Sequence, residues 1–272
     1  MGRPIAVVIG LLIVVACVSR SLPGERFFAS LQLTAPELQV TLGDPSAFSF
    51  AMVGDLHIQN ANTAWLERML TELDGRGTPF LVLLGDMVDQ GSREDFQGLI
   101  TLLENRGWKD KTLMVVGNHD VFYEGWEHYK TLVGPSHYRV KVGSLNFIAV
   151  DTGDGTVGQD QFDWLQGELA KIPGEPTFII SHYLPVIPGI RTYLKLASET
   201  ESLRLMNLAS DSGVMGWLGG HYHSYIHGRV NGVDYVVAGG GGGRRMEPVL
   251  ENFYVIVNVS GKTASYEMVP LE

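Results

Sequence analysis

The chain has 272 residues, of which 45% are hydrophobic and 18% are charged, and this composition excludes a disordered, collagen-like or coiled-coil protein. Thirty acidic against 20 basic residues give a net charge of −10, with no run of Lys and Arg, so tight binding to long nucleic acid is disfavoured. The single cysteine, Cys17, excludes an intrachain disulfide and a multi-thiolate metal site, so any metal must be held by nitrogen and oxygen ligands.

The first residues have the pattern of an export signal. Arg3 precedes an apolar run from Ile5 to Val15, which is shorter than the roughly 20 apolar residues needed to span a bilayer. The tetrapeptide Val14-Val15-Ala16-Cys17 resembles a bacterial lipobox, whose cysteine carries a lipid after cleavage. The chain's only cysteine therefore stands where a lipid would be attached.

We expect residues 1–16 to be a signal peptide of the lipoprotein type, with the lipid on Cys17 and a tether over residues 17–26. The protein would then be exported and anchored on the periplasmic or extracellular face of a membrane. An ordinary cleaved signal peptide is the alternative, and it would give a secreted soluble protein. A single domain is expected over residues 27–272.

Three predicted strands open the domain, at Phe48–Val53, Phe80–Leu84 and Thr112–Val116, and each is followed by a polar cluster. Apolar residues at helical spacing follow the first strand from Ala64, and a second helix is expected over about Glu94–Asn105. Strands that alternate with helices in this way are expected to be parallel, with right-handed crossovers.

The second half of the chain contains further strand patterns and one amphipathic helix. In chain order these are a hairpin of Tyr138–Val142 and Leu145–Val150, a helix over Gln161–Leu169, and strands at Thr177–Ile180 and Val214–Leu218. The last three strand patterns are typical of an antiparallel sheet, and they lie at Val233–Val237, Phe253–Val259 and Ala264–Val269.

Residues that commonly bind metals come directly after the predicted strands. They are Asp55, His57, Asp86, Asn118, His182, His221 and His223. Functional loops of open α/β sheets lie at the carboxyl ends of strands, so five such ends could converge on one site. This set of nitrogen and oxygen ligands suits one or two divalent transition metals.

Five motifs contain these residues, in this order: GDLH at 54–57, GDMVD at 85–89, GNHD at 117–120, SHY at 181–183 and GGHYH at 219–223. Together they closely resemble the calcineurin-like metallophosphoesterase superfamily. The resemblance implies an α/β fold, a four-layer α/β/β/α sandwich of two mixed sheets flanked by helices. It also implies a dinuclear metal site at the C-terminal edge of the strands.

The resemblance assigns a role to each motif residue. By motif position, Asp55, His57 and His223 would bind one metal, Asn118, His182 and His221 the other, and Asp86 would bridge both. The two divalent ions could be Mn, Fe, Zn or Ni, since this ligand set does not select among them. The implied reaction is in-line attack on phosphorus by a metal-bridging hydroxide.

Two further residues are expected to complete the mechanism. In the family, the residue matching His119 assists the leaving oxygen, and Asp89 matches a carboxylate that accepts a hydrogen bond from that histidine. Asp120 is expected instead to cap a helix that begins at Val121.

The substrate is less clearly marked. Gln90 stands where protein serine/threonine phosphatases carry a phosphate-binding arginine, which argues against that subgroup. Arg244 and Arg245, after a run of glycines, and Arg191, after His182, are candidates to bind substrate phosphate. A mobile glycine loop beside a surface arginine pair is the alternative.

The sequence predicts a hydrolase acting on ester bonds, a phosphatase or phosphodiesterase for a small phosphorylated substrate. The alternative is a scaffold or binding protein that has kept the fold and lost catalysis. Such a protein is expected to lack some of the metal ligands, and here all seven are present.

Overall fold

Eleven strands in two sheets form the centre of the molecule, in the computed structural model that describes residues 21–249 and 251–271. The predicted signal peptide and Cys17 lie outside these residues. Within the described part of the chain, no helix is long and apolar enough to cross a membrane.

The first sheet has the strand order β11-β10-β1-β2-β3. Its strands are β1 (Ala47–Val53), β2 (Leu81–Leu84), β3 (Thr112–Val115), β10 (Phe253–Ser260) and β11 (Thr263–Pro270). Strands β1, β2 and β3 are parallel, as the alternation of strands and helices predicts, and β10 pairs antiparallel with both β1 and β11.

The second sheet has the order β4-β5-β6-β7-β9-β8. Its strands are β4 (Tyr138–Val142), β5 (Leu145–Ala149), β6 (Thr177–Ile180), β7 (Gly216–Gly219), β8 (Tyr225–Val230) and β9 (Val233–Ala238). The inner strands β5, β6, β7 and β9 are parallel, and β4 and β8 pair antiparallel at the edges.

One strand prediction is wrong. The pattern at Val233–Val237 predicts a strand in one antiparallel sheet with the last two strands, but β9 belongs to the second sheet, where it pairs parallel with β7 and antiparallel with β8. The reason is strand β8, which the sequence did not reveal and which forms a hairpin with β9. Asn231 and Gly232 between them both have positive φ, the conformation of a tight two-residue hairpin turn.

Helices cover both outer faces of the paired sheets. Helices α2 (Ala64–Arg76), α3 (Arg93–Asn105) and α4 (Gly125–Leu132) lie against the first sheet, and α5 (Gln159–Ala170) and α6 (Glu199–Asp211) lie against the second. Aromatic rings fill the space between the sheets, where Phe50 stacks on Phe80 at 5.0 Å and meets Phe147 edge-on. The predicted four-layer sandwich is confirmed.

The helices bury one apolar stripe each, as amphipathic surface helices do. In α2 the buried positions are Leu66, Met69, Leu70 and Leu73, and the helix ends at Gly77, which adopts a left-handed conformation with φ of 67°. Glycine takes that conformation without a steric penalty, so it stops the helix and directs the chain into β2.

The segment expected as a tether is partly folded. Helix α1 (Pro23–Ser30) begins with proline in its first turn, and the Glu25 carboxylate accepts a hydrogen bond from the backbone of Leu22. Arg26 is fully buried and pairs with Asp151 and Asp154. Residues 23–26 therefore belong to the domain, because a buried ion pair and a helix cap hold them against it.

Candidate metal centre

The loops after β1, β2, β3, β6 and β7 meet at one edge of the sandwich, where the strands end. They bring together all seven predicted ligand residues, which lie in two groups with Asp86 between them. The hydrogen bond from the Asp55 amide to the Gly85 carbonyl (3.0 Å) ties the first two loops together. The His57 amide likewise donates to the carbonyl of Asp86 (3.0 Å).

The first group consists of Asp55, His57 and His223. The Nε2 atom of His223 lies 3.2 Å from a carboxylate oxygen of Asp55 and 3.3 Å from Nε2 of His57. The Asp55 carboxylate is fully buried, and the backbone amide of His221 donates to it at 2.9 Å. Three side chains from two separate loops thus point their ligand atoms at one place.

The second group consists of Asn118, His182 and His221. Nε2 of His182 lies 3.1 Å from Oδ1 of Asn118 and 3.3 Å from Nδ1 of His221. His182 is fully buried, and the ring of Tyr183 packs on His221 with a centroid distance of 3.7 Å.

The Asp86 carboxylate lies between the two groups. Its Oδ2 atom is 3.2 Å from Nε2 of His182, in the second group, and 3.8 Å from Nε2 of His57, in the first. Its other oxygen, Oδ1, accepts a hydrogen bond of 2.8 Å from the backbone amide of His119. One carboxylate oxygen is therefore positioned for both groups at once.

The tautomers of the histidines fit a role as metal ligands. Nδ1 of His57 faces Asp89, Nδ1 of His182 donates to the Leu84 carbonyl and Nδ1 of His223 donates to the Arg244 carbonyl. Nε2 of each ring is then the nitrogen directed at the cluster, where it can bind a metal once it is deprotonated, the usual arrangement of metal-binding histidines. The ligand atoms of Asp55, His57 and His223 lie within 4.8 Å of one another, and so do those of Asp86, His182 and His221. The donor set therefore fits two divalent ions.

The electrostatics also favour cations. Burial raises the pKa of Asp86, but the charge of His182 outweighs it and keeps the pKa well below the usual range. Burial lowers the pKa of His182, yet Asp86 more than offsets this and raises it to about 9. Burial and the neighbouring charge of His182 lower the pKa of His221 to about 3, so His221 is neutral and able to bind a metal. Two buried carboxylates need compensating positive charge, which divalent ions supply.

The backbone of the site is strained. Four of its residues, Asp55, His57, Asp86 and His221, have positive φ values between 47° and 64°. This region is unfavourable for side-chain-bearing residues, and it costs of order 1–3 kcal/mol at each position. The strain turns successive side chains toward one point, which a relaxed strand end does not do.

Residues 239–243 form a glycine loop that packs against the site. A Cβ atom on Gly243 would lie 2.6 Å from Cε1 of His223 and 2.8 Å from Cδ2 of His57. A Cβ atom on Gly239 would lie 2.8 Å from the Asp55 carboxylate. The loop needs glycine because the ligand side chains occupy the space of any larger residue.

The three candidate phosphate-binding arginines differ in their surroundings. The guanidinium of Arg245 is half-buried and donates to the carbonyls of Gly239 and Gly243, so it holds the glycine loop in place. Its phosphate contact stays a prediction, since the structure shows only that three of its N–H donors are directed at backbone oxygens. The side chains of Arg244 and Arg191 are exposed, and their role remains a prediction.

Asp89 does not make the expected contact. Its carboxylate lies 3.1 Å from Nδ1 of His57 and 3.7 Å from Nδ1 of His119, which is beyond hydrogen-bond distance. His119 donates instead to the backbone carbonyl of Asp89 at 2.6 Å. The same residue therefore orients both histidines, His57 by its side chain and His119 by its main chain.

The expected helix cap at Asp120 is wrong. Helix α4 begins at Gly125, and the fully buried Asp120 carboxylate accepts hydrogen bonds from the amides of Gly117 and Val88. These bonds join the loop after β3 to the loop after β2. Burial, reinforced by the charge of Asp86, raises the pKa of Asp120 to about 7.

Sequence reasoning also missed Thr152. Its hydroxyl oxygen accepts hydrogen bonds from the backbone amides of His182 (3.2 Å) and Tyr183 (2.9 Å), and it follows directly after Asp151, the partner of Arg26. A threonine outside every motif gives no signal in the sequence, because its role depends on the second sheet bringing the end of β5 beside β6.

The family model for calcineurin-like phosphoesterases matches residues 48–225. The chain is 27% identical over 183 residues to a probable cyclic nucleotide phosphodiesterase of Fibrobacter succinogenes, covering 64% of this chain and 67% of that protein. It is also 27% identical over 171 residues to a probable cyclic nucleotide phosphodiesterase of Rhodococcus erythropolis, covering 58% and 56%.

The fold is that of known phosphatases. The structure of the purple acid phosphatase PPD1 from yellow lupin superposes with a TM-score of 0.66 at 14% identity, covering 84% of this chain and 52% of that one. The matched region thus spans between about half and two thirds of these three proteins.

Proposed function

The chain belongs to the calcineurin-like phosphoesterase family, and on that premise we propose that it is a metal-dependent phosphodiesterase for small substrates. The observation that carries the proposal is the Asp86 carboxylate, whose Oδ2 atom faces His182 of one ligand group and His57 of the other. Two neighbouring divalent cations repel each other, and a carboxylate between them offsets this repulsion.

The ligand groups define which residues would hold each ion. Asp55, His57 and His223 would hold one, and Asn118, His182 and His221 the other, with Asp86 shared. A bound pair of divalent ions supplies Lewis acidity to the phosphoryl oxygens and lowers the pKa of a bound water. The protein contributes the fixed positions of the seven ligands, three of them held by Nδ1 hydrogen bonds.

His119 is placed to act on the leaving group. Its ring lies edge-on to that of His57, with centroids 4.5 Å apart, and it is about one third exposed, so it faces the open side of the site. The hydrogen bond from Nδ1 to the Asp89 carbonyl leaves Nε2 directed away from the backbone. Nε2 can then donate a proton to a leaving alkoxide.

The names of the relatives support a phosphodiester substrate. Both bacterial relatives are called probable cyclic nucleotide phosphodiesterases, so a cyclic nucleotide is the substrate class we propose. The net charge of −10 agrees with a small substrate and disfavours a long polynucleotide. An inactive scaffold has no support in the site, because every ligand position is filled.

The experiment is metal removal and restoration. Protein stripped with a chelator would be reloaded with Mn²⁺, Fe²⁺, Zn²⁺ or Ni²⁺ and assayed on 3′,5′-cyclic AMP, bis(4-nitrophenyl) phosphate and 4-nitrophenyl phosphate. We expect activity to disappear on stripping, to return with at least one metal and to favour the diesters. Asp86→Asn should stay inactive with every metal. The control is Asp234→Asn, which changes a carboxylate at the start of β9, at the opposite end of the strand from the metal site. This variant should behave as the wild type.

Two results would overturn the proposal. One is full activity in protein shown to be free of metal. The other is a metal-loaded protein that hydrolyses none of these esters.

A further inference from the structure

Exposed apolar side chains are concentrated at the N-terminal end of the described chain. Of the seven large apolar side chains that are exposed among the described residues, four lie within twelve residues around α1: Leu22 (63% exposed), Phe28 (57%), Leu31 (49%) and Leu33 (36%). A fifth, Tyr123 (56%), is nearby, since it lines the same groove as Glu25 and Ala29 of α1. We call these five residues the α1 surface.

The helix cannot turn to bury this surface. Its other face is fixed by the Arg26 guanidinium, which binds Asp151 at 2.8 Å and Asp154 at 2.7 Å, and by the ring of Phe27, which stacks on His137 at 4.6 Å. Phe28 is exposed beside that face. Leu31, just past the end of the helix and three positions after Phe28, lies at the edge of the exposed side, where it lines a groove with His137. Their exposure is a fixed feature of the fold.

The sequence before α1 places this surface close to any membrane attachment. The apolar run Ile5–Val15 and Cys17, the proposed lipid site, immediately precede it. Four residues lie between Cys17 and Leu22, and the five Cα–Cα steps of a fully extended chain span at most about 18 Å. A lipid on Cys17 would therefore keep α1 within a few helix diameters of the bilayer.

We propose that the α1 surface lies in the interface of a phospholipid bilayer. Phe28 and Leu31 reach the boundary of the acyl chains and Tyr123 sits at the level of the headgroups, where an amphipathic aromatic ring is stable. Glu25, Glu124 and Glu127 lie beside or line the groove of this surface, so the contact rests on apolar insertion and needs no anionic lipid.

This contact also orients the metal centre. Tyr123 follows Phe122, whose ring contacts His119 at 4.7 Å, so the membrane-facing surface adjoins the loop that carries His119. The active site then lies beside the bilayer and not on the far side of the domain. The inference depends on attachment through the N-terminal segment and is independent of the substrate.

The experiment places a fluorescent reporter on this surface in the protein expressed from its full sequence. Phe28→Trp would be reconstituted into phosphatidylcholine vesicles with and without dibrominated phosphatidylcholine, which quenches tryptophan within the acyl region. Leu203→Trp on α6 is the matched control, because Leu203 is 58% exposed and Phe28 57%. The signal of the wild-type protein, with its five native tryptophans, is subtracted from both.

We expect the added fluorescence of Phe28→Trp to fall at least twofold in brominated vesicles, while that of Leu203→Trp is unchanged. Equal and weak quenching at both positions would overturn the proposal, as would a protein that fails to float with the vesicles. A blue-shifted Phe28→Trp signal that depends on protein concentration without vesicles would also overturn it, since it would place a second copy on this surface. Unchanged far-UV circular dichroism spectra and melting temperatures of both variants check that they fold.

Discussion

The Asp89 carboxylate lies 3.1 Å from Nδ1 of His57, a member of the first ligand group. A carboxylate that accepts the Nδ1 proton of a histidine fixes the tautomer and makes Nε2 a better metal ligand. Asp89 therefore supports metal binding through its side chain and orients His119 through its backbone carbonyl. The two functions can be separated by mutation.

Asp89→Asn should weaken metal binding more than it impairs proton transfer by His119. The substitution keeps the backbone carbonyl that orients His119 but replaces the carboxylate facing His57. Changes of this kind cost roughly 10–100-fold in metal affinity. Titration of stripped protein with metal should show the loss at one of two sites, and excess metal should restore most of kcat. If metal affinity were unchanged and the rate fell most for poor leaving groups, the carboxylate would act through His119 instead.

His119→Ala should retain its metals and lose rate according to the leaving group. General acid catalysis is worth roughly 10²–10⁴-fold, and a nitrophenolate departs without needing a proton. The variant should therefore be nearly as active as the wild type on a nitrophenyl ester and severely impaired on an alkyl ester of the same phosphate. Metal content is measured on the same samples. Equal losses on both esters would assign His119 to electrostatic stabilisation.

Gly243→Ala should damage the first ligand group from outside it. The new methyl group would overlap the rings of His223 and His57, and both rings are already held by hydrogen bonds. We expect metal affinity to fall about tenfold or more. Gly75→Ala in α2 is the control: its Cβ meets nothing within 4 Å, and alanine in a helix stabilises by about 0.5–1 kcal/mol. Normal metal affinity in Gly243→Ala would contradict this prediction, since it would show that the glycine loop can shift and make room for the methyl group without displacing His57 or His223.

His137 should make the fold sensitive to acid. The ring stacks on Phe27 and is 4% exposed, and burial lowers its pKa from 6.5 to about 4. Below pH 6.5 His137 becomes protonated in the unfolded chain but stays neutral in the folded protein. The free energy of unfolding therefore falls as the pH drops from 6.5 toward 4. Between pH 7 and pH 5 His137 lowers the free energy of unfolding by about 2 kcal/mol. The buried Asp120, with its raised pKa, acts in the opposite direction, so the contribution of His137 is measured as the difference between the wild type and His137→Phe.

Urea unfolding at the two pH values measures this loss, and His137→Phe should remove it. A variant with the same pH dependence as the wild type would mean that other groups control the acid sensitivity.

The sequence predicts the ligand loops well because their geometry is local. Each ligand follows a strand, and parallel strands deliver their ends to one edge of a sheet, so the order of motifs is enough to bring Asp55 and Asn118 to the same site. The sequence could not show which of two neighbouring histidines forms a hydrogen bond with the Asp89 carboxylate. Asp89 lies between His57 and His119, and a difference of 0.6 Å between 3.1 and 3.7 Å decides which of them it binds.

The sequence pattern also failed to predict two short elements, strand β8 and helix α1. Strand β8 alternates between buried and exposed residues at an edge of the sheet and contains a histidine, a glycine and an arginine, so it lacks the continuous apolar run of the inner strands. Helix α1 has only eight residues and opens with Pro-Gly, which is typical of a linker. It is folded because Arg26 reaches Asp151, 125 positions away, and no local pattern reports such a contact.

The shared carboxylate of Asp86 is the centre of this account, and anomalous X-ray scattering from crystals grown with Mn²⁺ tests it most directly. We expect two anomalous peaks per chain, one among Asp55, His57 and His223 and one among Asn118, His182 and His221, with an oxygen of Asp86 coordinated to both. A single peak that does not contact Asp86, in crystals of protein active on phosphodiesters, would contradict the dinuclear site.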